Sequence, residues 1–199
     1  MIHVKKQPEP ASFDQAVRQK GLNYLATKGI NPSQPLPSGT TLHAYWRKCS
    51  DELYTSYNGQ CAYLAMYFER ATGYETIDHY IAKSKRPDLA YEWNNYRLSS
   101  PRMNSRKRDY DDILDPFKVK NGWFRLEFGT FTVYPSPELD SSLQCKIQKT
   151  IDRLNLNDPL FCRTRKYHYD DFIKKEYTQS YFRKKSPFVW FEAKRQGLI

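Results

Sequence analysis

The chain has 199 residues, 39% of them apolar and 16% aromatic, with a formal net charge of +10. That length supports one solid core, and sixteen Tyr with four Trp exclude the aromatic-poor composition of a disordered chain. The charge calls for a polyanionic partner. No apolar run approaches the roughly 18 residues that cross a bilayer, so nucleic acid is expected and a membrane is not.

The first ten residues hold a basic pair but no apolar stretch of the signal-peptide kind. Ser12 with Gln15 three residues on reads as a capping box, opening a helix over 13–28 that Gly29 stops. Residues 31–39, with three prolines, form a surface connection. A second helix is expected over 42–57, then a short apolar element over 64–70 broken at Gly73. Residues 74–80 read as a strand ending in Asp78-His79. A basic loop follows over 81–92, then a strand-like run over 93–98. Ser100-Pro101 supplies a cap followed by proline at the first helical position, which predicts a helix over 101–108. The order is strand, loop, strand, helix.

Further on, 117–119 and 123–128 flank Lys120-Asn121-Gly122, which predicts a type I′ hairpin, with 131–134 as a third strand. Leu143, Ile147, Ile151 and Leu154 recur at helical spacing. Asp158-Pro159 opens a long tyrosine-rich helix, and Ser186-Pro187 opens a last short one. The expected fold class is α+β. Its segments are an N-terminal helical part (1–57), a ββα core (58–117) and a hairpin with a helical extension (118–199), packed as one compact unit. Cys49, Cys61, Cys145 and Cys162 form no C-x-x-C pair, so reduced, mostly buried thiols in a cytoplasm are the expectation.

In a ββα unit the end of the first strand, the second strand and the helix converge on one groove. Asp78 and Asn104 offer hard oxygen ligands of the kind Mg²⁺ takes, with Mn²⁺ as a substitute. His79 beside such a metal can accept a proton from water. An amide between the strands, Asn95 or its neighbour Asn94, can tie the loop down with both a donor and an acceptor.

These residues lie in I-D-H-Y-I-A-K-S-K-R-P-D-L-A-Y-E-W-N-N-Y-R-L-S-S-P-R-M-N-S-R-K, residues 77–107, a stretch that resembles the HNH endonuclease family. The resemblance implies a ββα-metal finger in which Asp78 and Asn104 are the metal ligands and His79 is the general base. Asn95 then orders the loop, since the Trp-x-Asn pattern favours it over Asn94. Y-N-G-Q-C-A-Y-L before the motif, and I-L-D-P-F and T-I-D-R-L-N-L-N after it, resemble the HNH effectors of retron and Septu anti-phage systems. An ABC-type ATPase partner is implied. Where relatives carry two C-x-x-C knuckles for structural zinc, this chain has Cys61, Leu64, Ser100 and Met103, which cannot close a four-ligand site, so no structural zinc is expected.

Between Lys83 and Arg108 stand eight Lys or Arg against Asp88 and Glu92. Lys83, Lys85, Arg86, Arg102, Arg106 and Lys107 are the expected phosphate contacts, with Lys107 and Arg102 closest to the scissile group. His43 and His168 read as structural, and Asp109, Asp111 and Asp112 as a solvated turn. The rival readings are an HNH-fold module that grips nucleic acid without cutting it, and a structural subunit of a defence complex.

Overall fold

The computed structural model describes residues 1–71 and 73–199. In chain order the elements are α1 (Gln19–Thr27), α2 (Ser50–Ser56), β1 (Gln60–Cys61), β2 (Met66–Tyr67), β3 (Thr76–His79) and β4 (Tyr96–Ser99). They continue with α3 (Pro101–Lys107), β5 (Phe124–Leu126), β6 (Val133–Pro135), α4 (Ser141–Leu154), α5 (Pro159–Ile173), α6 (Gln179–Lys185) and α7 (Pro187–Arg195). The class is α+β: among the described residues the strands pair β1–β2, β3–β4 and β5–β6, all antiparallel.

The chain divides into two compact units, each built from segments distant in sequence. The first comprises Lys6–Gly59 and Arg70–Asp111. Its first helix begins as a π turn, Asp14–Arg18, and continues as α1. Phe13, Val17, Gly21 and Leu25, each four apart, are its buried face. The expected capping box does not form: Phe13 is already helical (φ −61°, ψ −45°), and Ser12 contributes its carbonyl, which accepts from Ala16 N–H at 3.0 Å. The helix expected over 42–57 is likewise divided. A 3₁₀ turn, Tyr45–Cys49, leads into α2, and the break falls at Cys49 (φ −112°, ψ 19°), whose thiol donates to the Trp46 carbonyl.

The second unit comprises Met1–Lys5, Gln60–Glu69 and Asp112–Ile199. The apolar element expected over 64–70 is instead the second half of the β1–β2 hairpin, turned at 62–65 with Ala65 at φ +50°. The Asn-Gly hairpin also fails. Residues 117–119 are held as a turn because the Asp115 carbonyl accepts from the N–H groups of Lys118 and Val119, and its carboxylate from that of Phe117. Lys120 to Trp123 then closes a type II turn with Gly122 at φ +88°, whereas type I′ would also need positive φ at Asn121. The hairpin forms one strand later, β5 with β6, where the Glu127 carboxylate accepts from the N–H groups of Gly129 and Thr130. Asp140 and Asp158 cap α4 and α5 through their side chains. Ile147, Ile151 and Leu154 are buried as their spacing predicts, whereas Leu143 stays partly exposed. No helix among the described residues is long and apolar enough to cross a membrane.

Candidate functional site

In the first unit β3 and β4 pair with Thr76 opposite Ser99, Ile77 opposite Leu98, Asp78 opposite Arg97 and His79 opposite Tyr96. Side chains alternate across a strand, so one face carries Thr76, Asp78, Arg97 and Ser99, and the other Ile77, His79, Tyr96 and Leu98. The adjacent Asp78 and His79 are thereby sent to opposite faces, and other elements cover each.

Helix α3 covers the Asp78 face. Lys107, fully buried on its last turn, sends its ammonium to the carbonyls of His79 and Tyr80, both at 2.7 Å, and lies 3.8 Å from the Asp78 carboxylate. Arg97 is also buried; it donates to the carbonyls of Asn94 and Tyr96 and sits over the Tyr80 ring. Two cations thus accompany one buried carboxylate. Burial lowers the proton affinity of Lys107, and the Asp78 charge opposes that effect. Asn104 stands one turn before Lys107 on the same face of α3. Its amide has no hydrogen-bond partner among the described residues. It lines a cleft of about 350 Å³ with Trp46, Arg47, Ser50 and residues 74–77.

On the opposite face His79 is 7% exposed. Its Nε2 lies 3.0 Å from the Ala90 carbonyl, which also accepts from the Tyr96 hydroxyl at 2.7 Å. A carbonyl only accepts, so Nε2 carries the proton and the Nδ1 lone pair is left as the acceptor. The ring meets Trp46 edge-on at 4.8 Å and Tyr96 at 5.2 Å. Burial, then the Lys83 charge, push its pKa down to about 3; the Ala90 carbonyl opposes them, and the Lys107 charge adds a smaller lowering effect. The imidazole is therefore neutral at any ordinary pH.

Asn95, 6% exposed, ties the loop between the strands. Its Oδ1 accepts from Ile81 N–H at 2.8 Å, and its Nδ2 donates to the carbonyls of Ile81 and Leu89, both at 2.9 Å. Leu89 precedes the residue whose carbonyl holds His79, so the amide of Asn95 fixes that imidazole at one remove. Asn94 is exposed and contributes its backbone carbonyl to Arg97.

The basic residues divide by environment. Lys107 and Arg97 are interior, so Lys107 is not a surface phosphate contact: two carbonyls and a carboxylate occupy its ammonium. Lys85 pairs with Asp111 at 2.6 Å, and Arg86 with Asp88. Lys83, Arg102 and Arg108 are exposed, with Lys83 over the Trp46 ring at 5.5 Å, and Arg106 is half-buried.

At the knuckle positions Cys61, Leu64 and Met103 are buried side chains of the cores. His168 is buried with its Nδ1 2.9 Å from the Ser186 hydroxyl, and the His43 ring lies tilted against that of Tyr45 at 4.1 Å. Trp46 was not expected near the site. It lies 33 positions before His79 in a turn with no local signal of its role. Arg97 was not singled out either, although its position opposite Asp78 follows from pairing the two strands.

The donors suit a hard divalent cation in kind. Asp78 offers a carboxylate, and Asn104 an amide oxygen without a hydrogen-bond partner among the described residues, while among those residues no three His, Cys, Asp or Glu gather at a metal site. Comparison with protein-family models and with curated proteins finds no match to this chain.

Proposed function

We propose that this chain is a metal-dependent endonuclease of the HNH type, hydrolysing phosphodiester bonds in DNA or RNA. One observation carries the proposal. The order β3, loop, β4, α3 puts Asp78 and His79 at the end of one strand, closes the loop on both amide atoms of Asn95, and sets α3 against the Asp78 face. Asp78 and Asn104 would hold Mg²⁺ or Mn²⁺. When bound, the ion supplies charge to neutralise the scissile phosphate and its leaving oxygen.

His79, neutral and protonated on Nε2, takes the proton of the attacking water on Nδ1. An approaching phosphodiester anion raises the proton affinity of that nitrogen. Lys107 acts as a positioning residue, holding the backbone where β3 ends. Asn95 positions Ala90 and, through it, the imidazole. The resemblance to retron and Septu effectors supports a role in cytoplasmic anti-phage defence beside an ABC-type ATPase.

A second reading, a module that binds nucleic acid or a partner without cutting, is favoured by two facts: His79 is almost wholly covered, and Asp78 already has a cation at 3.8 Å. Incubating the chain with plasmid DNA and with tRNA in Mg²⁺, Mn²⁺ or chelator separates the two. Hydrolysis is expected with metal only, and His79→Ala is expected to slow it by about two to four orders of magnitude. Equal rates in wild type and variant, or cleavage in chelator, reject the proposal.

A further inference from the structure

We infer that α6 and α7 of the second unit form a binding surface for a nucleic-acid backbone, separate from the residues assigned to hydrolysis. The ring of Trp190 carries two cations, the Arg183 guanidinium at 4.9 Å and the Lys194 ammonium at 5.2 Å. Tyr67 on β2 carries two more, Lys184 at 5.3 Å and Lys185 at 5.0 Å. Aromatic faces thus order four long side chains that would otherwise sample many rotamers.

Carboxylates do not balance these charges. Residues 178–199 contain one acid, Glu192, which is fully buried and accepts from Leu126 N–H and from Arg195. Lys185 approaches Glu69 at 3.7 Å. Arg183, Lys184 and Lys194 are exposed and have no carboxylate within ion-pair reach among the described residues. Like charges sharing a ring repel each other, and a row of phosphates relieves that repulsion while releasing counterions. The same features disfavour a lipid surface. Insertion into a bilayer takes a continuous exposed apolar face, and here Phe182, Phe188, Val189 and Ala193 are buried, leaving Tyr181 and Leu198 as the exposed large apolar side chains of this segment.

The inference is independent of the proposed hydrolysis, because binding is read in chelator, where no cleavage is expected. The full-length chain is titrated against labelled 20-nucleotide single-stranded DNA, RNA and duplex DNA by fluorescence anisotropy at several salt concentrations. Phosphatidylserine vesicles serve as a parallel arm. Wild type is expected to bind nucleic acid, with affinity falling steeply as salt rises. Combined Arg183→Glu, Lys184→Glu and Lys194→Glu should weaken binding at least tenfold and reduce the slope of log K against log salt by about two to three.

If the triple variant does not fold, Arg183→Gln, Lys184→Gln and Lys194→Gln are tested singly, each expected to reduce the slope by roughly 0.7 to 0.9. Unchanged slopes in all of these variants overturn the inference. So does binding to vesicles without binding to any oligonucleotide.

Discussion

Two asparagines of one short segment differ in what their amides touch. Asn95 makes three hydrogen bonds to backbone, whereas Asn104 makes none among the described residues and faces an open cleft. Asn95→Ala should lower unfolding free energy by about 2 to 3 kcal/mol, since it leaves buried N–H and C=O groups unpaired. Asn104→Ala should stay within about 0.5 kcal/mol of wild type in urea denaturation, yet raise the metal concentration needed for cleavage. If both variants are equally unstable, or their metal requirements coincide, the division of roles is wrong. His168 belongs to the same scale. Burial, then the Lys185 charge, lowers its pKa from 6.5 to about 4. A lowered folded-state pKa means that the unfolded chain binds more protons between these values. The stability it contributes is therefore complete above pH 6.5 and lost as pH falls towards 4. At 1.36 kcal/mol per unit, wild type should lose about 2 kcal/mol more than His168→Gln between pH 7 and pH 5. Parallel denaturation curves for the two proteins at both pH values would refute this.

At the scale of elements, α1 shows packing overruling propensity. Gly21 lies in mid-helix, where alanine is ordinarily better by about 1 kcal/mol. A Cβ there would fall 2.0 Å from Cγ of Tyr91, inside the ring. Tyr91 in turn donates to the His43 carbonyl and lies against Trp46, whose edge meets His79. The glycine therefore lets α1 approach the loop that carries the candidate site. Gly21→Ala should destabilise by about 1 to 2 kcal/mol net of the propensity gain, and should slow any cleavage by displacing Trp46. An alanine variant as stable as wild type would show that Tyr91 can move freely. The β3–β4 pair illustrates the complementary rule. Its polar and apolar faces follow from alternation, but both are buried because α3 covers one and the segment around Trp46 the other.

Over the whole molecule the charge of +10 is not spread evenly. Around the candidate site several cations are buried or paired, so fewer are available to phosphate than the sequence suggests. Arg102 is exposed with no ion pair among the described residues, whereas Arg86 is bonded to Asp88 at 2.8 Å. On the nuclease proposal, Arg102→Ala should lower the salt slope of nucleic-acid binding by nearly one. Arg86→Ala should lower it by less than half as much, because releasing Asp88 adds a negative charge. Equal effects would place Arg86 on the phosphate path after all.

The sequence by itself determined the features that depend on neighbours a few positions apart. These are the Gly29 stop of the first helix, the apolar spacing of α4, the Asp158-Pro159 start of α5, the Ser-Pro start of α3, and the strand, loop, strand, helix order that puts Asp78, His79, Asn95 and Asn104 into one unit. The α+β class follows from those elements. Tertiary structure decided whatever depends on distant partners. A turn type rests on whether Asn121 adopts positive φ, and Asp115 governs the segment just before it. The division into two units depends on which contacts segments distant in sequence make. A lysine at the end of a short basic helix reads as a phosphate contact until α3 is seen to drive Lys107 into the interior, where two carbonyls and Asp78 satisfy it. The fate of a charged side chain is set by whether a carboxylate, a carbonyl or water reaches it first. Local sequence records residue types and spacing but not that competition, which only the packed chain resolves.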